Sequence, residues 1–202
     1  MAADHFCTLC NTPFTNRFPL DEHGVCAACR SGLRGFDAAA SFGFYEGRLR
    51  TLIHLFKYAG MKPLAEPLGR YMERAIAVDS RFDVVVPVPL HWRKKWKRGF
   101  NQAELLARQL TERRGIPLVK ALRRVHASDA QAGLSKTARR RNVQGAFQIC
   151  PGVSLAGQRV LLVDDVMTTG ATASACAGAL KRAGACSVTL LTLARADRKW
   201  GT

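Results

Sequence analysis

The chain has 202 residues and a formal net charge of +16 at pH 7. With 48% hydrophobic residues it can bury one ordinary core plus a small appendage, which excludes a disordered chain and argues against two full-sized domains. The 31 Lys and Arg residues, against 15 Asp and Glu, attract polyanions, although charge alone does not distinguish phosphate esters, nucleic acid and acidic protein surfaces.

The hydrophobic pattern predicts no membrane span. The longest apolar runs, such as 160–163 and 190–193, are far shorter than the ~18 residues that a transmembrane helix needs. The opening sequence MAADHFCTLC also lacks the basic stretch followed by an apolar stretch that marks a secretory signal. We therefore expect a cytoplasmic protein with reduced thiols.

Two Cys-x-x-Cys pairs lie near the start of the chain, Cys7 with Cys10 and Cys26 with Cys29. Their spacing is typical of a structural zinc ribbon, in which four thiolates surround Zn²⁺ and leave no position for a substrate water. The pattern therefore predicts a metal site that stabilises a short segment and performs no chemistry. The alternative is that the cysteines are free or form two redox pairs.

Helical and strand patterns alternate along the rest of the chain, which implies an α/β fold with a parallel sheet covered on both faces. Asn101 is the expected N-cap of one helix, with Glu104 three residues later as in a capping box.

We place the boundary between a ribbon at 1–35 and a second domain at 36–202, within the small-residue stretch 31–40. The predicted elements are helices at 49–60 and 64–77, a strand at 84–86, a helix at 101–115, a strand at 160–163, a helix at 171–183 and a strand at 188–193.

The segment 160–172, VLLVDDVMTTGAT, carries the clearest chemical pattern. A buried strand followed by Asp164 and Asp165 places two carboxylates at the carboxyl edge of the sheet, where they can accept hydrogen bonds from vicinal ribose hydroxyls. The next residues combine hydroxyl donors, a glycine that permits close approach and a helix N-terminus, which together suit a phosphate. We therefore predict a 5-phosphoribosyl ligand. The residues assigned to the phosphate are Thr168, Thr169, Gly170, Ala171 and Thr172.

A strand that leads into two aspartates also occurs in response-regulator receivers, where the acids hold Mg²⁺ beside a phosphorylated aspartate. A receiver carries that pair on its first strand, whereas here only about forty residues follow it. Position in the chain therefore favours the ribose-phosphate interpretation.

The signature resembles that of the type I phosphoribosyltransferases, and nearly the whole chain resembles the ComF family, which comprises competence protein F and gluconate-utilisation-associated proteins. Several spaced matches in the same order are more specific than any single motif. The matching segments are the four cysteines, KYAG at 57–60, VPVPLH at 86–91, RGFNQA at 98–103, QAGL at 131–134, Arg139, NV at 142–143, GAF at 145–147 and the signature itself.

The resemblance implies a type I phosphoribosyltransferase-like parallel sheet flanked by helices, with phosphoribosyl diphosphate and Mg²⁺ bound at its carboxyl edge. It makes Asp164 and Asp165 the acids that act at the ribose, with Mg²⁺ and arginines stabilising the departing diphosphate. The loop after the strand at 84–86 would bind the diphosphate. The residues proposed for that loop are Pro89, Leu90, His91 and Arg98, with Arg93 as a further phosphate contact.

A mobile hood closes over the substrate in related enzymes, and the resemblance assigns this role to 129–143 with Gln131, Arg139 and Asn142. The alternative for this segment is an ordinary exposed basic loop. The basic block at 93–98, in which Trp92 and Trp96 are interleaved, likewise has the alternatives of a solvated face or a nucleic-acid patch.

Three functions remain in competition at the level of sequence. The first is an enzyme that transfers phosphoribosyl from phosphoribosyl diphosphate to a nitrogen base. The second is a non-catalytic accessory protein of DNA uptake or nucleic-acid metabolism, with single-stranded DNA or a protein of the competence machinery as its partner. The third is a regulator whose zinc ribbon docks a protein partner.

Overall fold

A computed structural model of the protein describes residues 5–14, 17, 20–30, 35–92, 96, 98–125 and 145–196. The strands are β1 His5–Phe6, β2 Pro13–Phe14, β3 Ala38–Phe44, β4 Val84–Pro87, β5 Leu122–Arg124, β6 Phe147–Ile149, β7 Arg159–Met167 and β8 Ser187–Arg195. The α-helices are α1 Ala27–Arg30, α2 Gly47–Tyr58, α3 Ala65–Arg74, α4 Gln102–Arg114 and α5 Ala171–Arg182, and a 3₁₀ turn, Lys62–Leu64, precedes α3. Within these ranges, no helix has the length and apolar character that a membrane span requires.

The central sheet has four parallel strands in the order β3-β8-β7-β4. A parallel bridge between Val85 and Leu118 extends it beyond β4. Two antiparallel pairs, β1 with β2 and β5 with β6, lie outside this sheet. The predicted α/β fold with a parallel sheet is confirmed.

Both faces of the sheet are buried because successive side chains of a strand point to opposite sides. On β7, Val160 and Leu162 contribute to one apolar cluster together with residues of α5, whereas Leu161 and Val163 contribute to a second cluster with residues of α2, α3 and α4. A strand that is buried on both faces needs apolar residues at every position, which explains its continuous apolar run.

The strand β7 is longer than its apolar run predicts. It continues to Met167, so Asp164 and Asp165 lie within the strand and not after it. The reason is the length of β8, which pairs with β7 beyond the acids, with Thr192 opposite Asp164 and Arg195 opposite Met167. Pairing to a neighbouring strand therefore extends β7 through residues that are polar in sequence.

The sequence pattern did not predict β3, and this strand begins inside the small-residue stretch that was assigned to the domain boundary. Ala38–Phe44 pairs with β8 along one side only and has an irregular pattern of exposure. An edge strand of this kind lacks the continuous apolar run that identifies the inner strands of a parallel sheet.

The amino ends of β4 and β7 are joined by an ion pair. The Asp83 carboxylate accepts two hydrogen bonds from the guanidinium of Arg159, at 2.8 and 3.1 Å, and one from its backbone N–H at 2.8 Å. These bonds lower the pKa of Asp83 to about 2. The pair is exposed, so we regard it as fixing the register of two strand ends more than as a large source of stability.

The start of α4 is fixed by Asn101, as predicted. Its side-chain oxygen accepts a hydrogen bond from the N–H of Ala103 at 3.1 Å, and its amide nitrogen donates to the carbonyl of Val88 at 3.0 Å. The second half of the capping box is not formed, because the carboxylate of Glu104 pairs with Lys120 at 2.7 Å. Asn101 thus both caps α4 and closes the loop that follows β4.

Helices α3 and α4 approach each other closely at Gly69. A Cβ atom added at this position would lie 2.5 Å from Cβ of Gln109, a distance that requires one of the helices to move. The absence of a side chain therefore sets the distance between the two helices that cover one face of the sheet.

We expect Gly69→Ala to destabilise the protein by about 1–3 kcal/mol, because overpacking outweighs the gain of about 1 kcal/mol in helix propensity. Gly178→Ala in α5 is the matched control, since its added Cβ would meet only the end of Arg182 at 3.5 Å. Urea unfolding measures both changes. Equal or stabilising effects of the two substitutions would contradict the close contact at Gly69.

Candidate functional site

Two adjacent carboxylates lie where β4 and β7 separate. The last register pair between these strands is Pro87 with Val163, and one further hydrogen bond joins the N–H of Val88 to the carbonyl of Val163 at 2.9 Å. Asp164 and Asp165 follow immediately on β7, at the carboxyl edge of the parallel strands. In open α/β sheets, ligands bind outside this edge.

Each of the two acids has one oxygen held by the protein. Oδ1 of Asp164 accepts a hydrogen bond from the backbone N–H of Asp165 at 2.8 Å. Oδ1 of Asp165 lies 2.9 Å from Nζ of Lys57, in the last turn of α2, and both of these side chains are largely buried. Sequence reasoning gave Lys57 no role, because a lysine in the last turn of a helix is ordinarily explained by the helix dipole.

The environment of the acids makes ionisation of Asp164 unfavourable. Its burial, together with the negative charge of Asp165, raises the pKa of Asp164, while the charge of Lys57 acts in the opposite direction. Cys176 of α5 also interacts with Asp164, and burial raises the pKa of this thiol well above its ordinary value. Because a neutral thiol offers no positive charge, Cys176 does not replace Lys57 as a counter-ion.

The turn from β7 to α5 brings the helix N-terminus to the same edge as the acids. Gly170 has a φ of +77°, a left-handed conformation that glycine adopts without strain. The side chains of Thr168 and Thr169 are exposed, and the hydroxyl of Thr169 accepts a hydrogen bond from the N–H of Ala171 at 3.3 Å. Thr172 is half-buried in the first turn of α5. The signature residues thus lie together at the carboxyl edge of the sheet.

The loop after β4 holds Arg98 between two helices. Its guanidinium carbon lies 5.0 Å from the ring centre of Tyr58, and its Nη1 donates to Oε1 of Gln102 at 3.2 Å. Tyr58 directly follows Lys57, so Arg98 and the acid pair both contact the C-terminal end of α2. Within the described part of the chain, Nε2 of Gln102 is buried without a hydrogen-bond partner. An acceptor group supplied by a ligand would satisfy it.

The other predicted residues of this loop differ in exposure. Pro89 and Leu90 are half-buried and His91 is buried, so these side chains shape the loop. Arg93 lies outside the described residues, as do the three hood residues Gln131, Arg139 and Asn142. Their proposed roles stay predictions from the sequence.

The four amino-terminal cysteines form one buried cluster whose Sγ atoms all lie within 4.8 Å of one another. The separations are 3.3 Å for Cys7 with Cys29 and 3.8 Å for Cys10 with Cys26. Four thiolates around a metal at about 2.3 Å would be about 3.8 Å apart, so the cluster fits a tetrahedral ion. Burial raises the pKa of Cys29 and the neighbouring thiols raise it further, so a bound cation would favour the thiolate form of this residue.

The cysteine cluster is attached to the end of the sheet. Arg195, the last residue of β8, is buried and donates to the carbonyl of Cys10 at 2.5 Å and to the hydroxyl of Thr12. The carbonyl of Leu9 accepts from the N–H of Ala39 on β3 at 3.1 Å. Sequence reasoning missed Arg195, because its partners lie more than 180 residues away in the chain.

The chain is similar to several known proteins over most of its length. A family model described as phosphoribosyl transferase domain matches residues 79–202. Competence protein F of Haemophilus influenzae is 33% identical, with 85% of this chain and 78% of that protein covered. DNA utilization protein YhgH of Salmonella typhimurium is 30% identical over 94% of this chain and 96% of that protein, and competence protein ComFC of Bacillus subtilis is 29% identical over 95% and 78%. The chain therefore belongs to the ComF family of proteins with a phosphoribosyltransferase domain.

Proposed function

We propose that the protein binds phosphoribosyl diphosphate, or a similar ribose 5-phosphate, together with Mg²⁺ and transfers the phosphoribosyl group to a nitrogen base. The observation that carries the proposal is the acid pair Asp164 and Asp165 beside the turn 168–172 on one sheet edge. The carboxylates accept hydrogen bonds from the two ribose hydroxyls. The hydroxyls of the turn and the N-terminus of α5 receive the 5-phosphate.

The diphosphate would lie against the loop after β4. Arg98 is half-buried and already oriented by Tyr58 and Gln102, so little conformational entropy is lost when it contacts an anion. As the diphosphate departs, C1 of the ribose gains oxocarbenium character. Arg98 would stabilise the negative charge that develops on the departing diphosphate. Pro89, Leu90 and His91 would hold the loop backbone against the diphosphate.

Mg²⁺ fits this site as an ion that arrives with the diphosphate. The site offers two adjacent carboxylates, one of which is already paired with Lys57 at 2.9 Å, and this is too few oxygens for an octahedral protein cage. Mg²⁺ commonly combines substrate phosphates and waters, and when bound it supplies charge stabilisation for the departing diphosphate. The acids of the chain then position the ribose.

Isothermal titration of the metal-loaded protein with phosphoribosyl diphosphate tests the proposal. We expect binding that requires Mg²⁺ and that weakens at least about 100-fold in the double variant Asp164→Asn, Asp165→Asn, since each charged hydrogen bond contributes about 1.5–3 kcal/mol. The exposed Asp79→Asn is the control. Absence of binding to the unsubstituted protein, or unchanged binding by the double variant, would rule the site out. Release of diphosphate on addition of nitrogen bases then tests transfer.

We assign Zn²⁺ to the four-cysteine cluster as a structural ion and propose that 1–35 forms a ribbon attached to a second domain at 36–202. Four thiolates suit Zn²⁺ better than the oxygen-binding Mg²⁺, and a closed tetrahedron leaves no open position for catalysis. Attachment through Arg195 and β3 allows the ion to stabilise the sheet as well as the ribbon.

The double variant Cys7→Ser, Cys10→Ser should lose about one zinc ion per chain and melt roughly 5–10 °C lower, because the segment then lacks the binding energy of the metal. Cys186→Ser removes an exposed thiol outside the cluster and should change neither quantity. Elemental analysis and thermal unfolding measure the two effects. Unchanged melting of a metal-free, folded variant would contradict a structural ion.

A second candidate function is binding of single-stranded DNA as an accessory protein. Trp92 and Trp96 are 65% and 88% exposed at the basic block that follows β4, which suits stacking against unpaired bases. The names of the relatives, competence protein F and DNA utilization protein, point to the same biology. The acid pair and the turn 168–172 lie outside this basic block, whereas Arg93 and Arg98 belong to both proposals. The two functions would therefore share part of the loop after β4 and differ at the acid pair.

We expect Trp92→Ala with Trp96→Ala to weaken binding of a single-stranded oligonucleotide about tenfold or more, since stacking contributes about 1–3 kcal/mol per base. Fluorescence anisotropy at several salt concentrations measures it. Phe6→Ala, an exposed aromatic residue on β1, is the control. Equal affinity of the unsubstituted protein, the double tryptophan variant and Phe6→Ala would count against a nucleic-acid surface, and so would binding that is insensitive to salt. The variant that lacks the acid pair should keep its DNA affinity.

A further inference from the structure

Lys57 is fixed beside the acid pair by the helix that carries it. Ile53 and Phe56, one turn and one residue earlier, are completely buried against the sheet. The side chains of Lys57 and Asp165 are only 14% and 12% exposed. Their contact therefore differs from surface ion pairs, which contribute little, and its removal would leave a largely buried charge without compensation.

The other elements that pack around the acids offer less positive charge than α2 does. Cys176 of α5 is a buried neutral thiol, and Thr192 of β8, opposite Asp164, shares a hydrogen bond of 2.7 Å with Ser41. Arg124 of β5 interacts with Cys176 and lies over the ring of Phe147. Among the described residues, Lys57 makes the ion pair with the acids.

The bonds within the protein leave one oxygen of each acid for a ligand. Oδ1 of Asp164 is bound by a backbone N–H, and Oδ1 of Asp165 is bound by Lys57. A carboxylate can accept about four hydrogen bonds, so the second oxygens can accept from a pair of hydroxyls. A diol is bound more strongly when both carboxylates are ionised, because hydrogen bonds to a charged acceptor are stronger, and when both are held in fixed orientations.

We propose that Lys57 is a positioning residue for the ribose-binding acids: its ammonium group orients Asp165 and balances the charge of the pair, so that both carboxylates accept hydrogen bonds at neutral pH. The inference rests on the proposed function, because it names how the site is prepared for the ribose hydroxyls. Lys57 acts through Asp165 and not by contact with the reacting carbon.

The pH dependence of ligand binding tests this role. Since Lys57 counteracts the rise in the pKa of Asp164, its removal raises that pKa further, and the carboxylate is then protonated over a wider range below the new pKa. For Lys57→Met we expect affinity for phosphoribosyl diphosphate with Mg²⁺ to fall about tenfold or more at about pH 7 and to recover as the pH rises to about 9. Lys57→Arg should restore most of the affinity at neutral pH.

Lys62→Met is the matched control, because Lys62 is an exposed lysine just beyond α2 whose Nζ lies over the ring of Phe100. It removes the same charge without touching the acids, so its pH profile should match that of the unsubstituted protein. Tighter binding by Lys57→Met would show that Lys57 competes with the ligand, and an unshifted pH profile would show that it does not control ionisation. Either result overturns the proposal.

A titration of ¹³C-labelled aspartate carboxyl groups by NMR, without ligand, separates this inference from the proposed function. The carboxyl resonance of Asp164 should titrate at higher pH in Lys57→Met than in the unsubstituted protein, and Lys57→Gln provides the same comparison if the Met variant does not fold. If no ribose phosphate binds, the proposed function fails while the NMR shift still reports the charge balance. An identical titration in variant and unsubstituted protein refutes the role of Lys57.

Discussion

The site depends on the unequal pairing of the two sides of β7. On one side β8 pairs with it as far as Met167, and on the other side the register with β4 ends at Val163. Asp164 and Asp165 therefore lie in a part of β7 that is paired with β8 on one side and open on the other. The Asp83–Arg159 ion pair holds the opposite ends of β4 and β7 together, so the separation of the two strands is confined to their carboxyl ends.

The acid pair needs a positive charge close by, and the end of α2 supplies it. Two neighbouring carboxylates within a buried strand repel each other, and the repulsion is reduced only if a cation approaches or one acid is protonated. Helix α2 ends with Lys57 beside one acid and Tyr58 beside Arg98, so one helix end contacts both the acid pair and the loop after β4. The net charge of +16 is too diffuse to do this, because exposed charges are screened over about 10 Å at ordinary ionic strength.

Local sequence pattern predicted the inner strands and the signature turn because their determinants lie within a few residues. The apolar runs of β4, β7 and β8 and the N-cap at Asn101 belong to this class. Contacts between residues that are distant in the sequence cannot be predicted from local pattern. The edge strand β3 is defined by its neighbour β8 and has no local pattern. Lys57 lies in the KYAG segment, but that segment does not indicate its partner, an acid more than 100 residues later. The site roles and the domain boundary accordingly stay predictions.

The cysteine cluster is bonded to β8 and β3, two strands of the sheet that also carries the acid pair. Arg195 forms the last register pair with Met167, two residues beyond Asp165 and just before the turn that leads to α5. The same arginine donates to the carbonyl of Cys10 and the hydroxyl of Thr12. A guanidinium buried without partners would be costly, so the ribbon satisfies the end of β8, and β8 in turn fixes the end of β7. A metal held by the four cysteines would therefore support the strand that carries both acids.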